Sequence, residues 1–116
     1  MRWRILTIIL GMAVLAAIAA ADSLNMRQVG AVALPGTARA LKILNSKAYI
    51  AMGQSGFAIV DIQDPANPVL LNTSYVAGTV RDIDIEGTIA GIACDDDRNQ
   101  FRFYNVSDPT TVTPLV

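Results

Sequence analysis

The sequence predicts an all-β chain built from two copies of a four-stranded unit, set behind a short apolar N-terminal segment. Three observations carry that prediction. The chain resembles itself at a spacing of 42 to 44 residues, its apolar residues alternate with polar ones in short runs, and Gly, Pro, Asn and Asp punctuate those runs. Self-similarity at such a period marks a repeat architecture, and short alternating runs bounded by turn residues mark strands.

The repeat is visible residue by residue. GTARALKILNSKAYIA, from Gly36 to Ala51, lies over GTVRDIDIEGTIAGIA, from Gly78 to Ala93, at an offset of 42. Gly36, Thr37 and Arg39 thereby match Gly78, Thr79 and Arg81. Ile43, Ala48, Ile50 and Ala51 match Ile85, Ala90, Ile92 and Ala93. After two inserted residues near Asp95–Asn99, FAIVDIQDP (Phe57–Pro65) lies over FRFYNVSDP (Phe101–Pro109) at an offset of 44. Pro68-Val69-Leu70 corresponds to Pro114-Leu115-Val116, and Arg27–Gly36 has the length and register of Val69–Gly78.

Each unit reads as four strands. Leu41 and Ile43 alternate with Lys42, and Ile83 and Ile85 with Asp82 and Asp84, a period of two that predicts a half-buried first strand. Asn45-Ser46 is a turn leading to a second strand at Tyr49-Ile50-Ala51. Phe57–Ile62 is a third, entered through Gly53-Gln54-Ser55-Gly56 and broken by Asp64-Pro65 and Pro68, since proline has no N–H for a ladder. Val69–Val76 is the fourth. A four-stranded unit of this length is the blade of a β-propeller.

The segment AYIAMGQSGFAIVDIQDPANP, Ala48–Pro68, resembles the LVIVD repeat, whose pattern runs aYvA, a Gly-containing turn, G-L-x-I-V-D-I-S-D-P and a closing proline. The resemblance extends over Arg27–Val116. The second copy departs at Gly91, Gln100 and Asn105, which stand where the first has Tyr49, Gly56 and Asp61. The resemblance implies a β-propeller in an extracytoplasmic setting and no particular activity. The expected organisation is a signal peptide over 1–21 and a partial propeller over 22–116. Within the latter, an outer strand spans about 26–35, repeat 1 about 36–77 and repeat 2 about 78–116.

The N-terminus has the three parts of a secretory signal peptide. Arg2 and Arg4 supply positive charge, Ile5–Ile18 is uncharged and apolar, and Ala19-Ala20-Ala21 before Asp22 offers a cleavage site. Ile5–Ala21 falls short of the ~20 apolar residues of a spanning helix, which disfavours the alternative of an uncleaved anchor. The expected location is secreted, periplasmic or cell-surface, with membrane contact only during export. Cleavage removes two arginines and no acid, so 9 basic residues fall to 7 against 10 acidic ones, a balance of −3. Without basic clusters, such a chain lacks the footprint for phosphate backbones, and nucleic acid is not an expected partner.

Catalytic candidates are absent. The chain has no histidine, which excludes Ser-His-Asp and Cys-His arrangements and the usual zinc and haem sites within this segment. The single Cys94 lies in the apolar run IAGIAC and reads as a buried thiol. One candidate cation site exists: Asp95, Asp97 and Asn99 have the alternate spacing that opens a calcium loop. Its sixth position is Gln100 rather than Gly and its twelfth Val106 rather than Glu, so a solvated hairpin loop is the preferred reading and no cofactor is expected. Asp61, Asp64-Pro65 and Asp108-Pro109 recur at the blade period and read as turn formers. Gly36, Arg39, Gly78 and Arg81 recur as well and read as structural anchors, the arginines pairing with aspartates. Asn72-Thr73-Ser74 and Asn105-Val106-Ser107 fit the glycosylation pattern of a eukaryotic secretory route.

Propellers close with four to eight blades. A two-blade chain is therefore expected to be the N-terminal part of a longer protein. The alternatives are an oligomer that completes the ring and a degraded gene remnant. The function expected is a binding or interaction scaffold for a protein or surface ligand. The competing reading is an enzyme or calcium-binding propeller whose working residues lie beyond Val116.

Overall fold

The structure, a computed structural model, describes residues 25–96, 98 and 100–115. The expected signal peptide over 1–21 lies outside the described residues. Two antiparallel four-stranded sheets follow one another along the chain, each a simple meander. The first sheet holds β1 (Ala40–Leu44), β2 (Lys47–Ala51), β3 (Phe57–Asp61) and β4 (Val69–Ser74) in that spatial order. The second holds β5 (Thr79–Glu86), β6 (Ile89–Asp95), β7 (Phe101–Asn105) and β8 (Thr113–Leu115).

Local chemistry explains the hairpins. Asn45 and Ser46 both take positive φ, 50° and 60°, the conformation whose twist suits a two-residue β-hairpin. The register set there pairs Leu44 with Lys47 and Leu41 with Ile50. The β2–β3 turn needs glycine at Gly56, where φ is +82° and an added Cβ would sit 2.0 Å from the Ser74 carbonyl oxygen. Met52 N–H donates to Gly56 O across that turn at 2.8 Å. The second copy has Gln100 at the equivalent place and two more residues in the loop, yet Cys94 N–H donates to Gln100 O at 3.0 Å.

The core lies between the sheets. Tyr49, Ala51, Phe57 and Ile59 form one side, and Val80, Ile83, Ala90, Ile92 and Tyr104 the other, with Val76 in the connection. The Phe57 and Tyr104 rings meet edge to face, centroids 5.2 Å apart and planes at 64°. Each fully buried side chain of this size contributes about 1.5–3 kcal/mol. A backbone clamp joins the sheets at one end: Val80 N–H donates to Gly53 O at 2.9 Å, and Gly53 N–H to Val80 O at 3.1 Å. At the periphery Asn72 Nδ2 of β4 donates to Thr110 O of the β7–β8 turn at 3.0 Å. A second, smaller cluster (Ala48, Ile50, Met52, Ala58, Val60) covers the opposite face of the first sheet.

Two expectations are amended here. The first strand was expected half-buried in both copies, but Leu41 and Ile43 are 54% and 60% exposed whereas Ile83 is 1%. Alternation gives each strand two faces, and only β5 has a packed sheet against the face in question; β1 does not. The outer strand expected over about 26–35 joins no ladder among the described residues. Instead Val32 and Leu34 pack on the second cluster, and Gly30 passes so close to the β3–β4 turn that a Cβ would strike the Pro65 carbonyl oxygen.

Repeat-equivalent positions should therefore differ in energetic weight. Ile83→Ala is expected to cost about 2–5 kcal/mol, whereas Leu41→Ala should stay within about 0.5 kcal/mol, read by urea denaturation of the dilute chain. Gly56→Ala should exceed the ~1–2 kcal/mol of a left-handed non-glycine residue, because the Ser74 carbonyl must also move.

Candidate functional site

The polar residues gather at the end of the sheets where the backbone clamp sits. There the segments leading into β1 and β5 meet the β2–β3 and β6–β7 hairpin loops. One hollow at this end is lined by Gly36, Thr37, Arg39, Ser55, Thr79 and Arg81, among others. A second, beside it, is lined by Gly78, Asp95, Asp96, Arg98, Gln100 and Arg102. The repeat brings these residues together, because equivalent loops of successive units emerge at one end. Among the described residues no charged side chain is buried; the buried polar atoms of the core belong to Cys94, Tyr49 and Tyr104.

The two recurring arginines sit in equivalent places with different partners. Arg81, the extra residue of a bulge on β5, donates to Asp95 Oδ2 from Nη2 at 2.6 Å and from Nε at 3.2 Å. Arg39 has Gly53 where Arg81 has Asp95, and its side chain lies over that glycine, 2.6 Å from where a Cβ would be. Arg39 makes no ion pair among the described residues. A third pair, absent from the sequence reading, joins Arg102 Nη2 to Asp96 Oδ2 at 2.9 Å, while Arg102 Nε is buried without a hydrogen-bond partner. No repeat signal marks it, since Arg102 and Asp96 have Ala58 and no counterpart in the first copy.

Of the candidate cation ligands, Asp95 is engaged by Arg81, and Asp97 and Asn99 lie outside the described residues. Among the described residues no three acidic, His or Cys side chains converge. Cys94 is buried, and burial pushes its thiol up from the ordinary value despite the opposing pull of Arg102. Asn72 and Asn105, the two asparagines of the glycosylation pattern, are both engaged. Asn72 donates to Thr110 O and accepts from Ser74 Oγ at 2.6 Å, and Asn105 Oδ1 accepts from Ser107 N–H at 2.9 Å.

The recurring aspartates sit at the opposite ends of β3 and β7, where each closes its own turn. Asp61 Oδ1 accepts from Gln63 N–H at 2.8 Å, as Asn105 does from Ser107. Asp64 Oδ1 accepts from Ala66 N–H at 3.1 Å, as Asp108 Oδ1 does from Thr110 N–H at 3.0 Å. Pro65 and Pro109 follow within these turns. Ile62 N–H to Ser46 O and Val106 N–H to Thr88 O tie each turn back to its first hairpin. The Thr110 hydroxyl, 2.6 Å away, together with its N–H holds the Asp108 carboxyl below its ordinary value.

Comparison with protein families matches residues 35–75 to the LVIVD repeat. The first sheet with its lead-in is thus an LVIVD repeat, and the second sheet repeats the backbone N–H bonds of its turns. Comparison with curated proteins and with solved structures returned no match.

Arg81→Ala should cost no more than about 1 kcal/mol, because both partners are half-exposed and the pair is screened by solvent. Asp108 adds stability that is complete above the ordinary carboxylate range and fades as pH falls through its lowered value. Asp108→Asn should accordingly lower the melting temperature near neutrality and flatten the acid limb of its profile below about pH 4, the two proteins converging at low pH.

Proposed function

We propose that the chain is an exported scaffold of the propeller type that binds a partner through the polar end of its sheets. The observation that carries this is Arg39: a guanidinium with no acid beside it among the described residues, laid over a glycine and bordered by the hydroxyl-bearing Thr37, Ser55 and Thr79. Its repeat-equivalent already holds a carboxylate, Asp95, in the same setting. The carboxylate that Arg39 lacks among the described residues is then supplied by a partner, so an acidic segment of a protein is the favoured ligand. Charge-assisted, two-pronged bonds of guanidinium to carboxylate give such recognition its strength and direction. Export is supported by the charged, apolar and small-residue succession of residues 2–21.

Titration of the purified chain with a glutamate-rich peptide tests the binding surface. Arg39→Ala should weaken binding about tenfold, and added salt should weaken it further, while Lys42→Ala leaves it unchanged. Equal loss from both variants, or no binding by the unaltered chain, would remove this reading. Mass measurement of the product made from its own start should show a chain beginning at Asp22.

A further inference from the structure

Arg39 shares its hollow with a second arginine. Arg81 lines the same space of about 510 Å³, at the junction of the two sheets, with Thr37 and Thr79 beside the pair. The doubling follows from the repeat, since Gly36-Thr37-Ala38-Arg39 and Gly78-Thr79-Val80-Arg81 lead into successive sheets at one end. One position separates the two arginines. Gly53 offers nothing to pair with Arg39, whereas its repeat-equivalent Asp95 holds Arg81. The hollow therefore contains two guanidinium groups, one open and one already neutralised from within.

The contact that neutralises Arg81 is a weak one of its type. Both donors, Nη2 at 2.6 Å and Nε at 3.2 Å, end on the single oxygen Oδ2 of Asp95. In the strong arrangement each carboxylate oxygen receives its own N–H, giving two parallel bonds. Both side chains are also more than half exposed, 56% and 51%, so water and salt screen the pair. Arg81 is the extra residue of the β5 bulge, which turns its side chain out of the alternation and toward the hollow. A carboxylate arriving there from outside can engage through both of its oxygens, and Asp95 then returns to water.

We propose that Asp95 is a specificity-determining residue of the polar end: it competes for Arg81, so the hollow takes one carboxylate at Arg39 unless the partner brings a second that displaces it. The proposal rests on the polar-end reading and narrows its ligand to a segment with two acidic side chains close together. A segment with a single acid gains Arg39 alone. A segment with paired acids gains Arg81 as well, exchanging the shared-oxygen contact of Asp95 for a two-pronged one.

Calorimetric titration of the full chain with hexaglutamate tests it through Asp95→Asn, which removes the charge and keeps the shape. This variant should bind about tenfold more tightly than the unaltered chain, and the gain should vanish in Asp95→Asn/Arg81→Ala. Arg39→Ala/Asp95→Asn should regain most of the binding that Arg39→Ala alone loses. Glu86→Gln changes net charge equally at the far end of β5 and should bind as the unaltered chain does. Circular dichroism should show every variant folded, since each altered side chain lies at the surface. An equal gain in Glu86→Gln, a gain that survives Arg81→Ala, or no gain at all overturns the role of Asp95 and leaves that of Arg39 standing. Binding by Asp95→Asn but not by the unaltered chain sustains the role of Asp95 and removes that of Arg39. Binding by neither removes both.

Discussion

The packing of one sheet face upon the next is the contact on which the rest depends. A four-stranded meander has two faces, and in this sequence both are largely apolar, so a single unit cannot keep its backbone ladder dry on its own. The edge-to-face contact of Phe57 with Tyr104 and the burial of Ile59, Val80, Ile83 and Ile92 give the pair a shared interior. Everything at the surface follows from holding that contact in register. The Gly53–Val80 clamp fixes one end, and the Asn72–Thr110 bond fixes the periphery. The arginines and hydroxyls of the polar end are thereby placed on a rigid support.

Much of this was legible in the sequence, because the repeat writes the same turn chemistry twice. Asp61 and Asn105, or Asp64 and Asp108, occupy the same offset, and each pair accepts the same backbone N–H. A carboxylate or amide oxygen two residues before an N–H is a local interaction, settled within a few residues of chain, and local interactions are what sequence patterns express. The order of the four strands within each unit followed for the same reason.

What the sequence did not express was anything decided by a neighbour. Leu41 and Ile83 read identically as apolar members of an alternating strand, but one is open and the other buried, since only one of them faces another sheet. Residues 26–35 have the pattern of a strand and no ladder to join, so they lie across the first sheet's second cluster instead. Arg39 and Arg81 recur as a matched pair; the glycine at 53 against the aspartate at 95 is what divides their roles. The Arg102–Asp96 bond joins a residue that replaces Ala58 to one in the inserted loop, which has no counterpart in the first copy, so the comparison of repeats was silent on it.

The hairpin that carries the two inserted residues shows how such a chain tolerates change. Met52 to Gly56 and Cys94 to Gln100 close loops of different length with the same bond, and the strands on either side keep their pairing. Length at this tip is uncoupled from the ladder beneath it. Successive units can then diversify their loops one at a time, as the fingers of a hand lengthen without moving the palm, and the end of the molecule that faces outward is free to acquire new specificities while its framework stays constant.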